Sequence, residues 1–560
     1  AKCVQESLRI IDQQGSELGL FLNLGKCELY SSNPKPANLF PREIPFSTAF
    51  DFVILGSPVG SSNFCETWLS LKLRNTDRLF QRLLELDDVH VAVLLLSSCC
   101  SFGKFVHLIR TVPKQLIQNG LGAFDNAVLK CLSGLLCCEL PPSAKLQAQL
   151  TKARGGLGLR SLTRHASAAF FSSANKALDD ALSSEFFREA AHTLLRDFRP
   201  DLSAQQLSKE KSFANQFQIS ALYEEIDQAS LISSFSKSDP DLARLNSLSV
   251  PNTSTWLELP PCPGLRQHLS NPQARAVFKF RLGIPLFSAS VTCDKCKSQP
   301  LDPHGHHALT CKCMGSRHNR VVDVIYDFLC VGQFRPTKER GAEGSHDRTR
   351  PADILVPGLA SDGSNFLAID VTVVSALSSS ALAAAANTHD GSGAVVLAEL
   401  KKHNENDPKC KELGWECLPF AMDTHGRFGD ESESFLQSLA WRVAAQQDTS
   451  NIMALRAIRG KIGISLMRAN ADAILSSPPA MMIQGVALGP GDLSRMVSTE
   501  HISSSAATNR SLQRSSQEPS LSRFLPTSSS SFSLSSSSSP SSSSLISLPS
   551  LSSLESFAAN

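Results

Sequence analysis

Apolar side chains along this chain change their period several times, and each change marks a new kind of element. Over Ala1–Leu18, the residues Val4, Leu8, Ile11 and Leu18 fall at helical spacing, and the pattern stops at Gly19. Leu20–Leu24 and Phe50–Leu55 read as short strands, the second closed by a Gly56-Ser57-Pro58 turn. From 66 to 250 apolar positions recur every three or four residues with few prolines, which predicts helices. A loop at Gly155-Gly156-Leu157-Gly158 interrupts them, and the Pro-rich stretch Pro251–Pro263 is expected to join two domains. Past 291 the pattern alternates. Asp353–Val356 and Phe366–Val374 read as strands either side of a Ser361-Asp362-Gly363-Ser364 turn, then Ala394–His403 as a helix and Cys417–Met422 as a strand. Phe435–Leu475 reads as two amphipathic helices, and no internal repeat is visible.

Composition adds a boundary and removes some classes. From His501 to Asn560, 27 of 60 residues are Ser, too little apolar surface to offset the entropy of ordering, so a disordered tail is expected. The 560 residues carry 54 Lys plus Arg against 52 Asp plus Glu, a net charge of +2, which excludes a whole-chain basic binder of nucleic acid. The longest aliphatic run, Val91–Leu96, is too short to span a bilayer. No signal-like segment follows Ala1, and the 16 Cys show no regular disulfide framework. The expectation is a soluble, N-terminally incomplete chain from a reducing compartment, cytoplasmic and not secreted.

Cysteine and histidine then cluster. Cys293-x2-Cys296 places two thiols on one turn, suited to two corners of a tetrahedral zinc site. His307 and Cys311 supply the others, with His304, His306, Cys313 and His318 as nearby alternatives. A closed four-ligand set leaves no open position, so the role would be structural. Between Asn271 and Arg350 there are 13 Lys plus Arg against 7 Asp plus Glu. Lys295, Lys297, Lys312, Arg317 and Arg320 form a candidate phosphate-contacting patch, with a merely solvated face as the alternative.

The carboxylates come next. Asp353 opens one strand and Asp370 lies inside the following one, between Ile369 and Val371. An acidic group in so apolar a strand is costly unless a cation compensates it. Two such carboxylates suit Mg²⁺, whose bound waters can attack a phosphodiester. This is the layout of a PD-(D/E)xK nuclease, with Thr372 where a Lys is expected and Lys401 or Lys402 able to reach the site from the next helix. Glu339 is a candidate third carboxylate, and a structural salt-bridged Asp is the competing reading.

The order of motifs resembles a non-LTR retrotransposon polyprotein. Gly19–Glu28 (GLFLNLGKCE) and Ile54–Gly60 (ILGSPVG) are similar to palm segments of its reverse transcriptase. Lys104–Pro113 (KFVHLIRTVP) and Gly155–Ser161 (GGLGLRS) are similar to its thumb. The Cys-Cys-His-Cys cluster, His306-His307-Ala308-Leu309, Arg317-His318-Asn319, Arg350–Asp353, Asp370-Val371-Thr372, Gly414–Phe420 and Ile464–Leu475 resemble its restriction-like endonuclease region. The resemblance implies an α+β, multidomain chain. Residues 1–115 would be a palm remnant with the start of the thumb, 116–290 a helical thumb and connector, and 291–320 the zinc cluster. The endonuclease core would then span 321–430, C-terminal helices 431–480 and a disordered Ser-rich tail 481–560.

It further implies zinc on Cys293, Cys296, His307 and Cys311, magnesium on Asp353 and Asp370, and Lys402 as the displaced lysine. Partners would be target DNA and element RNA, with no membrane, and the target DNA implies a nuclear location. Glu405 and Asn406 depart from the Lys and Tyr usual in relatives, and Asp423 stands for a usual Glu. The polymerase's Tyr/Phe-Ala-Asp-Asp string occurs nowhere in the chain, so no polymerase activity is expected.

Overall fold

The computed structural model describes residues 2–31, 39–47, 49–236, 239–287, 291–293, 295–298, 300–311, 317–338, 352–378 and 393–476. Glu339, Lys312, Cys313 and the Ser-rich tail lie outside the described residues. The chain divides into two units, Ala1–Leu493 and Ser494–Asn560, and every described residue belongs to the first. The architecture is mixed α+β, with helices predominating over small sheets.

A helix spans Lys2–Glu17 as the spacing predicts, but buries none of its residues. Leu20–Leu24 is not a strand. Leu20 and Phe21 are exposed, no strand among the described residues pairs with them, and a 3-10 turn forms at Leu24–Lys26. The second run shortens to Phe52–Ile54, paired antiparallel with Ser57–Val59. The turn sits at Leu55 and Gly56, both at positive φ (48° and 81°), so Ser57 and Pro58 begin the return strand instead of closing the hairpin.

Helices fill 62–248, beginning with Ser62–Glu85, whose first turn is capped by the Ser61 hydroxyl accepting from Phe64 N–H. The run Val89–Thr111, 23 residues, is long and apolar enough to cross a membrane by length and composition. It is broken into short helical pieces, and Ala92, Leu96 and Ile109 are fully buried in the core. The Gly155–Gly158 loop forms as expected. A Cβ at Gly156 would fall 2.0 Å from the Leu150 carbonyl oxygen, so only glycine lets the chain pass there.

Pro251–Pro263 is not a free linker. Trp256 is 1% exposed and packs against the last helix, where a Cβ at Gly463 would already touch its Cβ at 3.0 Å. Glu258 pairs with Arg456 of that helix at 2.6 Å. Buried Arg281 donates to the Gly156 carbonyl at 3.1 Å and the Ser254 hydroxyl at 2.7 Å, tying three segments together. The largest apolar core joins residues from Cys65–Ala169 to residues from Trp256–Ile474, while the helices between them pack around a separate cluster that includes Phe171, Phe187 and Tyr223.

The C-terminal α/β part contains α1 (Arg317–Val331), β1 (Thr337–Lys338), β2 (Ile354–Pro357), β3 (Phe366–Val374), α2 (Gly393–Glu412), β4 (Trp415–Asp423), α3 (Asp430–Gln447) and α4 (Asn451–Leu475). The sheet order is β4-β3-β2-β1. β1, β2 and β3 run antiparallel in turn, whereas β3 and β4 are parallel and joined through α2, the crossover that parallel pairing requires. Strand alternation divides the residues of β3. Leu367, Ile369 and Val371 join the main core, while Ala368 shares the opposite face with Leu355 and with Cys410 of α2. Asp370 therefore lies on the face that α2 covers.

Candidate functional site

The Cys–His cluster is built locally. Val291–Thr292 pairs antiparallel with Pro300–Leu301, and Cys293 and Cys296 sit in the connecting turn. That turn is closed by Lys297 N–H donating to the Cys293 carbonyl at 2.9 Å, with Lys297 at φ 57°. A short helix, His306–Thr310, follows; the Asp302 carboxylate accepts from the N–H groups of His304 and His307 at its start. His307 Nε2 reaches Cys296 Sγ at 3.4 Å, and Cys293, Cys296, His307 and Cys311 offer ligand atoms all within 4.8 Å of one another. Three thiols and one imidazole, with Cys293 and Cys311 buried, are a donor set that fits a structural zinc ion. The alternatives go elsewhere: His306 lies against Phe280, His304 against His306, and His318 against Asp353.

The carboxylate pair is built by tertiary structure. Ile354 of β2 faces Ile369 of β3 in an antiparallel register, so Asp353, one residue earlier, stands across from Asp370. Asp353 N–H donates to the Ile369 carbonyl and its Oδ2 accepts from Val371 N–H, both at 2.8 Å. Opposed carboxylates repel, and the surroundings answer with donors. Lys402 Nζ lies 2.9 Å from Asp370 Oδ2, and Asn406 Nδ2 donates to the same oxygen. His318 Nε2, from α1, reaches Asp353 Oδ1 at 3.0 Å.

Lys402 and Asn406 are one helical turn apart and share a face of α2. Lys401 does not reach this face; it is exposed and pairs with Glu405 at 3.7 Å. Burial pushes the Asp370 carboxyl above its ordinary range, Lys402 pulls it back, and the nearby Asp353 charge raises it. The hydrogen bond that His318 donates to Asp353 raises its imidazole, against the opposing effect of burial.

The basic patch is divided. Lys295 and Lys297 are exposed at the cluster turn. Arg317 turns inward and donates through Nη2 to the Leu309 carbonyl, its Nε and Nη1 buried without a hydrogen-bond partner among the described residues, and Arg320 pairs with Asp472 at 2.6 Å. Asp423 is 1% exposed and accepts from the N–H groups of His425 and Arg427 and from the Ser247 hydroxyl, organising the turn after β4.

Two residues join the site that sequence spacing had not assigned to it. Asn406 had a legible signal, its i,i+4 relation to Lys402. Arg317-His318-Asn319 was one of the stretches resembling the endonuclease region, but the contact of His318 with Asp353 depends on how α1 packs against the sheet, which spacing does not show. Compared with known proteins, the sequence matches no family model, and no curated protein matches it significantly.

Proposed function

We propose that the α1–β4 part of this chain is a metal-dependent endonuclease of the PD-(D/E)xK type that nicks DNA, within a protein of non-LTR retroelement origin. The observation that carries the reading is the convergence of Asp353, Asp370 and Lys402 from three separate elements of an α-β-β-β-α-β array. The donor chemistry fits: both acidic groups are oxygen donors, the preference of Mg²⁺, and a like-charged pair with Asp370 buried and Asp353 partly buried is where a divalent cation relieves repulsion. When bound, Mg²⁺ would supply charge neutralisation at the scissile phosphate and an acidified water.

The protein's own groups do the rest. Asp353 and Asp370 hold the cation-binding edge in register through the β2–β3 pairing. Lys402 offers an ammonium beside Asp370, placed to orient the attacking water and to stabilise the extra negative charge on phosphorus. Asn406 and His318 fix the two carboxylates, one by an amide N–H and the other by an imidazole. In the retroelement setting the freed 3′ hydroxyl of target DNA would prime copying of element RNA. Lys295 and Lys297 beside the zinc cluster would contact nucleic-acid phosphates.

The test is nicking of supercoiled plasmid by the full chain. Mg²⁺-dependent conversion to open circles, abolished by Asp353→Ala and by Asp370→Ala, is the expected result. Salt-dependent DNA binding without nicking would instead indicate a catalytically silent nucleic-acid binder. No binding at low salt would leave an interaction protein.

A further inference from the structure

Away from both sites, three more ligand-type side chains converge where α2 meets β4. His403 and Asp407 are one turn apart on α2, and Cys417 is the third residue of β4. An imidazole nitrogen, a carboxylate oxygen and a sulfur from these residues lie within 4.8 Å of one another. His403 Nδ1 is 2.9 Å from Asp407 Oδ1, and its Nε2 is 2.7 Å from Oε1 of Glu431 at the start of α3. Cys410, fully buried one turn beyond Asp407, has its thiol hydrogen-bonded to that of Cys417.

We propose that His403, Asp407 and Cys417 form a second metal site, separate from the Cys₃His cluster, for a divalent ion of the zinc class. The donor set defines the class: one nitrogen, one oxygen and one sulfur suit a borderline ion such as Zn²⁺ and are wrong for Mg²⁺ or Ca²⁺. Glu431 stands where a carboxylate commonly orients a metal-ligating histidine. Nε2–H donates to it, which leaves the Nδ1 lone pair facing Asp407 and Cys417. Without an ion the Cys417 thiol donates to the buried Cys410 sulfur, and a bound ion would take the place of that proton. A tetrahedral zinc site needs donors roughly 3.3–3.8 Å apart, so closing this one takes shifts of about 1 Å or less. Its fourth position opens to solvent, since His403 and Asp407 are only partly buried.

The site has a mechanical consequence, which rests on the nuclease reading where the site itself does not. Lys402 and Asn406, which serve Asp370, alternate along α2 with His403 and Asp407. A metal bridging α2 to β4 fixes the rotation of α2, the variable that decides which lysine faces Asp370. The ligands are thus positioning residues for Lys402.

The competing arrangement is an imidazolium held between Asp407 and Glu431 with no metal, and metal content separates the two. Full-length protein equilibrated with zinc and freed of excess is expected to carry two equivalents. Asp407→Asn and Cys417→Ser should each leave one, while a Cys293→Ser/Cys296→Ser variant should keep the other. In cobalt-substituted protein, Cys417→Ser should remove part of the thiolate-to-metal absorption and spare the bands of the three-thiolate cluster. Thermal melting shows whether each variant folds, and if Cys417→Ser does not, the partly exposed Asp407→Asn decides. One equivalent in the unaltered chain, or two equivalents retained in folded Asp407→Asn and Cys417→Ser, would overturn the proposal. Because zinc counting is independent of nicking, a chain that binds two ions and does not nick would refute the nuclease reading alone.

Discussion

All four donors of the Cys293 cluster come from nineteen consecutive residues, whereas the carboxylate site gathers side chains from α1, β2, β3 and α2. The first is fixed by a tight turn and a short helix, so its ligand spacing in sequence is already close to its spacing in space. The second exists only when a strand register and a helix rotation are both right. The difference predicts different failure modes. The cluster should be lost by removing one thiol, and the carboxylate site by any change that turns α2 relative to the sheet.

The largest expected effect is on the cluster. Structural zinc binding in small domains is worth roughly 10–16 kcal/mol, much of it folding free energy. Cys293→Ser, or removal of the metal by chelation, should therefore cost several kcal/mol in a denaturant melt of the full chain. Next comes the packing that joins the cluster to the core. Leu301 is 1% exposed at its edge, and Leu301→Ala should destabilise by about 2–5 kcal/mol in the same melt. A small loss for Leu301→Ala with a large one for Cys293→Ser would show the cluster folding as an independent module.

The smallest effect is a titration at the other site. Asp353 holds the His318 imidazole above its usual range, with burial opposing. A group with a raised folded pKa stabilises fully below its unfolded value near 6.5, and that contribution fades as pH rises through the higher folded value. By NMR, the His318 ring should titrate above pH 6.5 and shift downward in Asp353→Asn. An unchanged titration would mean that the α1–β2 contact does not persist in solution.

How much of this was legible in the sequence follows the same division. Cys293, Cys296, His307 and Cys311 were readable because ligand spacing is a local property. The two strands around Ser361–Ser364 and the helix after them were readable from alternation and period, so Asp353 opposite Asp370 was within reach. The choice between Lys401 and Lys402 was not readable from spacing alone, since adjacent helix positions differ by about 100° and nothing local sets the phase. His318, offered by its spacing as a zinc alternative, went to Asp353 because α1 packs on the sheet. Leu20–Leu24 misled for the reverse reason: an apolar run becomes a strand only where another strand pairs with it. Pro251–Pro263 resembles a linker in composition, yet Trp256 anchors it in the core through contacts with residues two hundred positions away.

In the proposed nuclease, α2 delivers Lys402, and not its neighbour, to the carboxylate pair that would perform Mg²⁺-dependent nicking. The most direct measurement compares plasmid-nicking rates of the unaltered chain, Lys402→Ala and Lys401→Ala under identical salt. A loss of about a hundredfold or more is expected for Lys402→Ala, as for removal of one transition-state charge donor. Lys401→Ala should stay within about twofold, since its exposed pair with Glu405 contributes little. Equal losses in the two variants, or nicking by the unaltered chain that survives Lys402→Ala, would mean that Lys402 does not serve the reaction.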